Sequence, residues 1–96
     1  MKKFIILIPV YNDWKSVSKL LDKIDLQTKS WDAEISVVII NDASTEKMSL
    51  IKSNYYKINL VKILNMKVNI VHQRCIATGL KYIYKNENFD HVIVMD

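Results

Sequence analysis

Three polar side chains stand where apolar runs stop. Tyr11 follows the run at residues 4–8, Asp42 follows residues 35–40, and Asp96 follows residues 92–95. Carboxylates so placed can hold a divalent cation or accept from a ligand's hydroxyl or ring N–H groups, and a tyrosine can stack on a planar ring. The same positions also suit ordinary loop and cap residues. Whether the three act together depends on the apolar runs being strands of one parallel sheet, whose carboxyl ends share an edge. His72 has no second histidine or cysteine at ligand spacing, so it reads as a capping or loop-packing residue. Arg74 can meet a phosphate near a helix start or remain a surface arginine. Cys75, the single cysteine, lies in a helical pattern and reads as a buried structural thiol.

The elements that must position these groups follow from periodicity. Residues 4–8 are a short apolar run bounded by Pro9, a strand buried on both faces that is expected to end at the proline. Asn12 or Asp13 can cap a helix over residues 14–26, in which Trp14, Val17, Leu21 and Ile24 recur at helical spacing. A second, β-branched strand covers residues 35–40. Ser44 or Thr45 can cap a short helix carrying Met48, Ile51 and Tyr55 on one stripe. Residues 58–64 alternate more and read as a strand nearer the sheet edge. A further helix is expected over residues 72–84, with Ile76, Leu80 and Ile83 on its core face, and a last strand over residues 92–95. The alternation implies an α/β fold: a Rossmann-like parallel sheet of about four strands with helices on both faces.

Composition narrows the function classes. The net charge of +4 is spread along the chain as lysines, with no basic run longer than Lys2-Lys3, so no nucleic-acid footprint is indicated. No apolar run approaches the roughly 18 residues that cross a bilayer. With one cysteine no internal disulfide can form, which fits a reducing, cytoplasmic setting. Glycine-rich phosphate loops are absent: the one glycine, Gly79, falls inside a helical pattern, which argues against a dinucleotide-binding fingerprint or a P-loop. The scarcity of turn residues, and a final strand that reads as core, lead to the expectation that residues 1–96 are the N-terminal part of a longer domain.

Three blocks then carry a resemblance. The sequence Ile8-Pro9-Val10-Tyr11-Asn12 is followed by the first helix. Val38-Ile39-Ile40-Asn41-Asp42-Ala43-Ser44-Thr45 looks like Val-Val-Asp-Asp-Gly-Ser-Thr. Residues 69–80, Asn-Ile-Val-His-Gln-Arg-Cys-Ile-Ala-Thr-Gly-Leu, are similar to an Asn-x-Gly-x-x-x-Ala-x-x-x-Gly helix start. Together they resemble the N-terminal, nucleotide-sugar-binding portion of a family-2-type glycosyltransferase, a partial GT-A fold. The strand ending at Asp96 looks like the one that leads into that family's Asp-x-Asp metal motif. The resemblance implies binding of a nucleotide diphosphate sugar for transfer of the sugar to an acceptor, with Mn²⁺ or Mg²⁺ in the complete enzyme. It implies Pro9, Tyr11, Asn12, Asp42 and Arg74 at the substrate, with Tyr11 and Asp42 on the nucleobase, and Asp96 at the metal. The family's acceptor half and general base have no counterpart in these 96 residues, so the portion is expected to be inactive alone.

The departures carry expectations too. Asn41 stands for the first Asp of the pair, keeping hydrogen-bonding capacity without the charge. Ala43 and Val71 stand where glycines are expected, so the usual turn geometry is expected to change at 43 and the backbone at 71 to approach a ligand less closely. The alternative function is a non-catalytic Rossmann-like binding or interaction module that self-associates through an unfinished sheet edge. A receiver domain is set aside, because Pro-Val-Tyr-Asn and Asn65 stand where its acidic residues belong. Membrane association of a longer form stays open.

Overall fold

Strands with aliphatic side chains on both faces must lie inside a sheet covered on both sides. The computed structural model describes residues 1–48, 51–52 and 54–95. Six elements follow in order: β1 (Lys2–Val10), α1 (Trp14–Gln27), β2 (Ala33–Asn41), β3 (Ile58–Asn65), α2 (His72–Asn86) and β4 (His91–Val94). The strands form one four-stranded sheet in the order β3-β2-β1-β4, and every neighbouring pair is parallel. The α/β architecture is therefore as expected, with β3 at an edge.

The two helices cover opposite faces. Ile6, Ile8 and Val10 of β1 pack in one cluster with Val37 and Ile39 of β2 and with Trp14, Val17, Leu21 and Ile24 of α1. Ile5 and Leu7 pack in the other, with Val38, Ile40, and Cys75 and Ile83 of α2. Leu7 and Leu21 are fully buried, and such burial contributes about 1.5–3 kcal/mol per side chain. Asp13 caps α1, its Oδ1 accepting from the Ser16 N–H at 3.4 Å. Among the described residues no helix is long and apolar enough to cross a membrane.

Four expectations are corrected. Pro9 does not end β1, which runs on to Val10 with Pro9 opposite Ile40. The Val10 carbonyl accepts from the Asp42 N–H on the β2 side, and the Leu7 carbonyl accepts from the Met95 N–H on the β4 side. Alternate residues of a parallel strand face alternate neighbours, so the N–H that Pro9 lacks belongs to the β4 side. β4 pairs only with Phe4 to Leu7, and the β1–β2 ladder passes the proline intact.

The short helix expected after Ser44 does not form among the described residues between β2 and β3. Side chains take the backbone donors at both ends of that connection. Asn12 Oδ1 accepts from the N–H groups of Thr45 and Glu46. The Asp25 carboxylate accepts from those of Tyr56, Lys57 and Ile58. Ile51 and Tyr55 still pack, partly buried, against the α1-side cluster, while Met48 is exposed.

The β3 boundary expected at residue 64 moves to Asn65, and β4 starts earlier, at His91. Of the core face expected for α2, Ile83 is fully buried and Ile76 packs partly buried against the same cluster, but Leu80 is exposed, and Cys75 and Gly79 are the other buried residues of the helix. A Cβ on Gly79 would sit 2.6 Å from Leu7 Cδ1 and 3.1 Å from Ile40 Cγ1. The helix lies that close to the sheet only where its facing residue has no side chain.

Candidate functional site

The parallel register brings Val10, Asn41 and Asn65 level at the carboxyl ends of β1, β2 and β3. Loops leaving these ends share one edge of the sheet. β1 connects through α1 to β2 on one side, whereas α2 crosses to β4 on the other. The edge beside β1 and β4 is thus where connections diverge, the position at which open α/β sheets form a crevice.

Asn41 uses the hydrogen-bonding capacity expected of it. Its Nδ2 donates to Asn65 Oδ1 at 2.9 Å and its Oδ1 accepts from the Ser44 N–H at 3.0 Å. A carboxylate could do the second but could not donate to Asn65. The turn beyond it runs through Ala43 at φ 58°, a left-handed conformation that glycine adopts more readily than alanine. Val71 likewise holds φ 66° and ψ 157° at the start of α2, a conformation that is open to glycine and costly for a β-branched residue.

Asp42 lies beneath this edge, 1 % exposed. Its Oδ1 accepts from the Ile70 N–H at 2.7 Å, and its carbonyl accepts from Asn69 Nδ2 at 3.3 Å. The Cys75 thiol, fully buried as expected, hydrogen-bonds the same carboxylate; burial and then that carboxylate push its pKa up to about 11. At neutral pH the thiol is protonated and no nucleophile. These bonds tie the end of β2 to the loop that enters α2.

Asn12 is also engaged within the protein. At φ 57° it turns the chain between β1 and α1, a conformation asparagine tolerates. Its backbone N–H donates to Ser44 Oγ at 2.9 Å, its Nδ2 to Thr45 Oγ1 at 3.1 Å, and its Oδ1 accepts from Thr45 and Glu46 as described. The side chain locks the loop after β1 to the loop after β2. Either Asn12 or Asp13 could have been the helix cap, and the structure divides the work: Asp13 caps and Asn12 joins loops.

The open ground lies next to it. A cleft of about 400 Å³ is floored by Ile8, Val10, Val17 and Leu20 and rimmed by Pro9, Tyr11, Asp13, Ser16 and His72. Tyr11 is 44 % exposed, so its ring is available to a ligand. Pro9 and Tyr11 are thus in the cleft, whereas Asp42 and Asn12 stand behind it as framework. Arg74 is exposed on α2 and does not line it. Asp96 lies outside the described residues. The sequence reading passed over His72, Ser16 and Asp13 as cleft residues. The nearest signal was position, since His72 directly follows the loop that Asp42 holds. A larger groove of about 490 Å³ runs beside β3, lined by residues such as Tyr55, Tyr56 and Leu60. It is apart from Tyr11 and the strand ends of β1 and β2.

Chemically, the cleft offers a ring for stacking, an apolar floor, and a carboxylate, a hydroxyl and an imidazole at its rim. These are groups that hold a planar, partly polar ligand. Among the described residues no three His, Cys, Asp or Glu side chains are grouped so as to hold a metal ion. Comparison with known proteins supplies no relative: no family model, no curated protein and no solved structure matches this chain.

Proposed function

We propose that this chain is the nucleotide-binding portion of a family-2-type, GT-A-fold glycosyltransferase, and that the cleft beside Tyr11 receives the nucleotide of a nucleotide diphosphate sugar. The observation that carries the reading is backbone geometry. At Ala43 and Val71, the two places where the resemblance calls for glycine and the sequence has none, the chain still takes positive φ values of 58° and 66°. A fold indifferent to that pattern has no reason to strain two separate loops in the same sense. Two further features support it: a cleft at the switch point of a parallel sheet, and an exposed aromatic ring on its rim.

What the described residues offer is binding, not transfer. The divalent cation expected for the complete enzyme finds no ligand cluster among them, so no step is assigned to a metal here. Tyr11 stacks on the base, and the apolar floor excludes water beneath it. The test is calorimetric titration of the chain with uridine, guanosine, adenosine and cytidine diphosphates, with Mg²⁺ and with chelator. Binding of one of them, weakened by Tyr11→Ala, is the expected result. No affinity for any nucleotide in either condition would overturn the reading.

One observation favours a second reading, an interaction module. Among the described residues β3 pairs only with β2, and Leu60 on this edge strand is 45 % exposed. A free edge of eight residues is a template for another strand. Sedimentation at increasing protein concentration separates the two: a dimer without nucleotide affinity fits the module, and a monomer that binds nucleotide fits the transferase.

A further inference from the structure

We propose that the amino edge of the sheet, opposite the cleft, docks on an anionic phospholipid surface, with Leu26, Trp31 and Tyr56 entering the headgroup layer and Lys2, Lys29 and Lys57 meeting its phosphates. The inference stands apart from the nucleotide reading and survives its failure.

Topology collects the surface. In a parallel sheet every strand starts at one edge, and each crossover helix ends there. Lys2 is level with Ala33, and Ile35 with Ile58, so the starts of β1, β2 and β3 lie side by side. Among the described residues the four most exposed large hydrophobic side chains are Met1, Leu26, Tyr56 and Tyr84, at 82 %, 72 %, 76 % and 81 %. All four fall at this edge. Met1 precedes β1, Leu26 is in the last turn of α1, Tyr56 precedes β3, and Tyr84 is in the last turn of α2. Apolar side chains exposed singly are ordinary, but their concentration at one edge marks an interaction site.

On the α1 side they join lysines in one patch. The Lys29 N–H donates to the Leu26 carbonyl at 3.3 Å, and the Lys29 ammonium lies 4.9 Å from the centre of the Tyr56 ring. The Lys57 ammonium donates to the Trp31 carbonyl. Trp31 meets Phe4 edge-on at 5.7 Å, which sets it beside the start of β1 and its two lysines.

Charge decides what covers the patch. Asp25 accepts from three backbone N–H groups, Asp90 from the Lys3 N–H, and Glu34 accepts from Asn59 and faces Lys3 at 3.9 Å. These carboxylates are engaged by the protein itself, and Asp32 is exposed beside them. Among the described residues no carboxylate lies at ion-pair distance from Lys2, Lys29 or Lys57, so these cations are left to an outside anion. A second copy meeting the patch through the same residues would set like charges together. Nucleic acid is disfavoured because the chain's one arginine, Arg74, stands in the first turn of α2, at the other end of that helix. A bilayer interface takes every group at once: tryptophan and tyrosine at headgroup depth, leucine at the acyl boundary, lysines on anionic headgroups. The cleft, at the carboxyl edge, then faces water.

The test is sedimentation of the whole chain with vesicles of phosphatidylcholine, and of phosphatidylcholine mixed with phosphatidylglycerol. Binding to the mixed vesicles alone, lost as salt is raised, is the expected result. Tryptophan emission is expected to move to the blue on binding, a change that Trp31→Phe removes because Trp14 is already buried. Lys2→Glu with Lys29→Glu is expected to weaken binding more than about tenfold, each lysine near an anionic surface contributing about fivefold. Leu26→Ser with Tyr56→Ser is expected to weaken it as well. All four positions are exposed, and circular dichroism checks that each pair folds; either pair alone suffices for the test. No binding to the mixed vesicles, equal binding to both kinds, or full binding by the folded variants would overturn the proposal. Binding to a single-stranded oligonucleotide in place of vesicles would overturn it in favour of nucleic acid, and a dimer that the same variants dissolve would do so in favour of a second copy.

Discussion

Val71 shows how much a single residue can be constrained by its neighbours. Its φ of 66° and ψ of 157° belong to glycine, and such strain costs on the order of 1–3 kcal/mol. The side chain is 58 % exposed, so little burial offsets that cost. Val71→Gly is accordingly expected to stabilise the fold by about 1 kcal/mol, after the extra chain entropy of glycine is subtracted. Thermal unfolding by circular dichroism reads this directly, and a fall in midpoint would refute it. Ala43, with a smaller side chain at a similar φ, stands to gain less. The sequence singles out these two positions, but not the bonds that hold them. Beside them the Ser44 N–H donates to Asn41 Oδ1 and the Ile70 N–H to Asp42 Oδ1, and such bonds leave no periodic trace in the chain.

Among the elements, the connection from β2 to β3 shows where local pattern loses to tertiary contact. Met48, Ile51 and Tyr55 have helical spacing, but the chain around them is held at one end by Asn12 and at the other by Asp25. Asp25 is on α1, about thirty residues away from the N–H groups it binds, so the competition could not be seen within the segment. Strands were legible for the opposite reason: runs buried on both faces carry their own signal, and β1, β2 and β3 fell where expected apart from their ends. Burial raises the pKa of Asp25, but the backbone donors at Ile58, Lys57 and Tyr56, with nearby Lys52, outweigh it and leave the carboxyl below its ordinary 3.8. A lowered folded pKa contributes stability that is complete above the unfolded value and is lost as pH falls through the folded one. Asp25→Ala is therefore expected to cost about 1–3 kcal/mol at pH 7 by leaving those donors without an acceptor. The loss should shrink as the pH falls from about 4 through the lowered folded value, below which the parent carboxyl is itself protonated. Urea unfolding at pH 7 and pH 3 gives both numbers, and an equal cost at the two values would contradict the charge's role.

At the scale of the whole molecule, one sheet separates two hydrophobic layers, and the spacing of each layer is set by different means. On the α1 side, large residues such as Trp14 and Leu21 fill the gap. On the α2 side, Gly79 lets the helix approach Leu7 and Ile40 closely. Gly79→Ala would place a methyl 2.6 Å from a Leu7 carbon, and the fully buried Leu7 side chain would have to shift within a packed layer to accept it. The expected cost is about 1–3 kcal/mol, together with a shift of α2 that carries His72 with it. A stability change near zero in urea unfolding would show that the helix has room to spare. The architecture as a whole was open to sequence reasoning because alternation of strands and helices decides it. The cleft was legible only in part. Tyr11 and Pro9 lie two residues apart in the chain, whereas His72 reaches them only through a crossover that no local pattern announces.

The placing of β1 has a consequence for how the chain comes to be folded. β1 precedes the other three strands described, and its partner on one side, β2, follows after a single helix. Its partner on the other side is β4, and the bond between the Lys3 N–H and the Asp90 carboxylate spans 87 residues. Pairing at such separation is slow, because a long loop must close before any contact rewards it. During synthesis, then, β1 waits with one edge bare until β4, the last of the four described strands, is made. Newly made chain is open to capture by chaperones, or by the same strand of a neighbouring copy, for the whole of that interval. The lysines at 2 and 3, at the head of that strand, put positive charge on the part that would otherwise self-pair earliest.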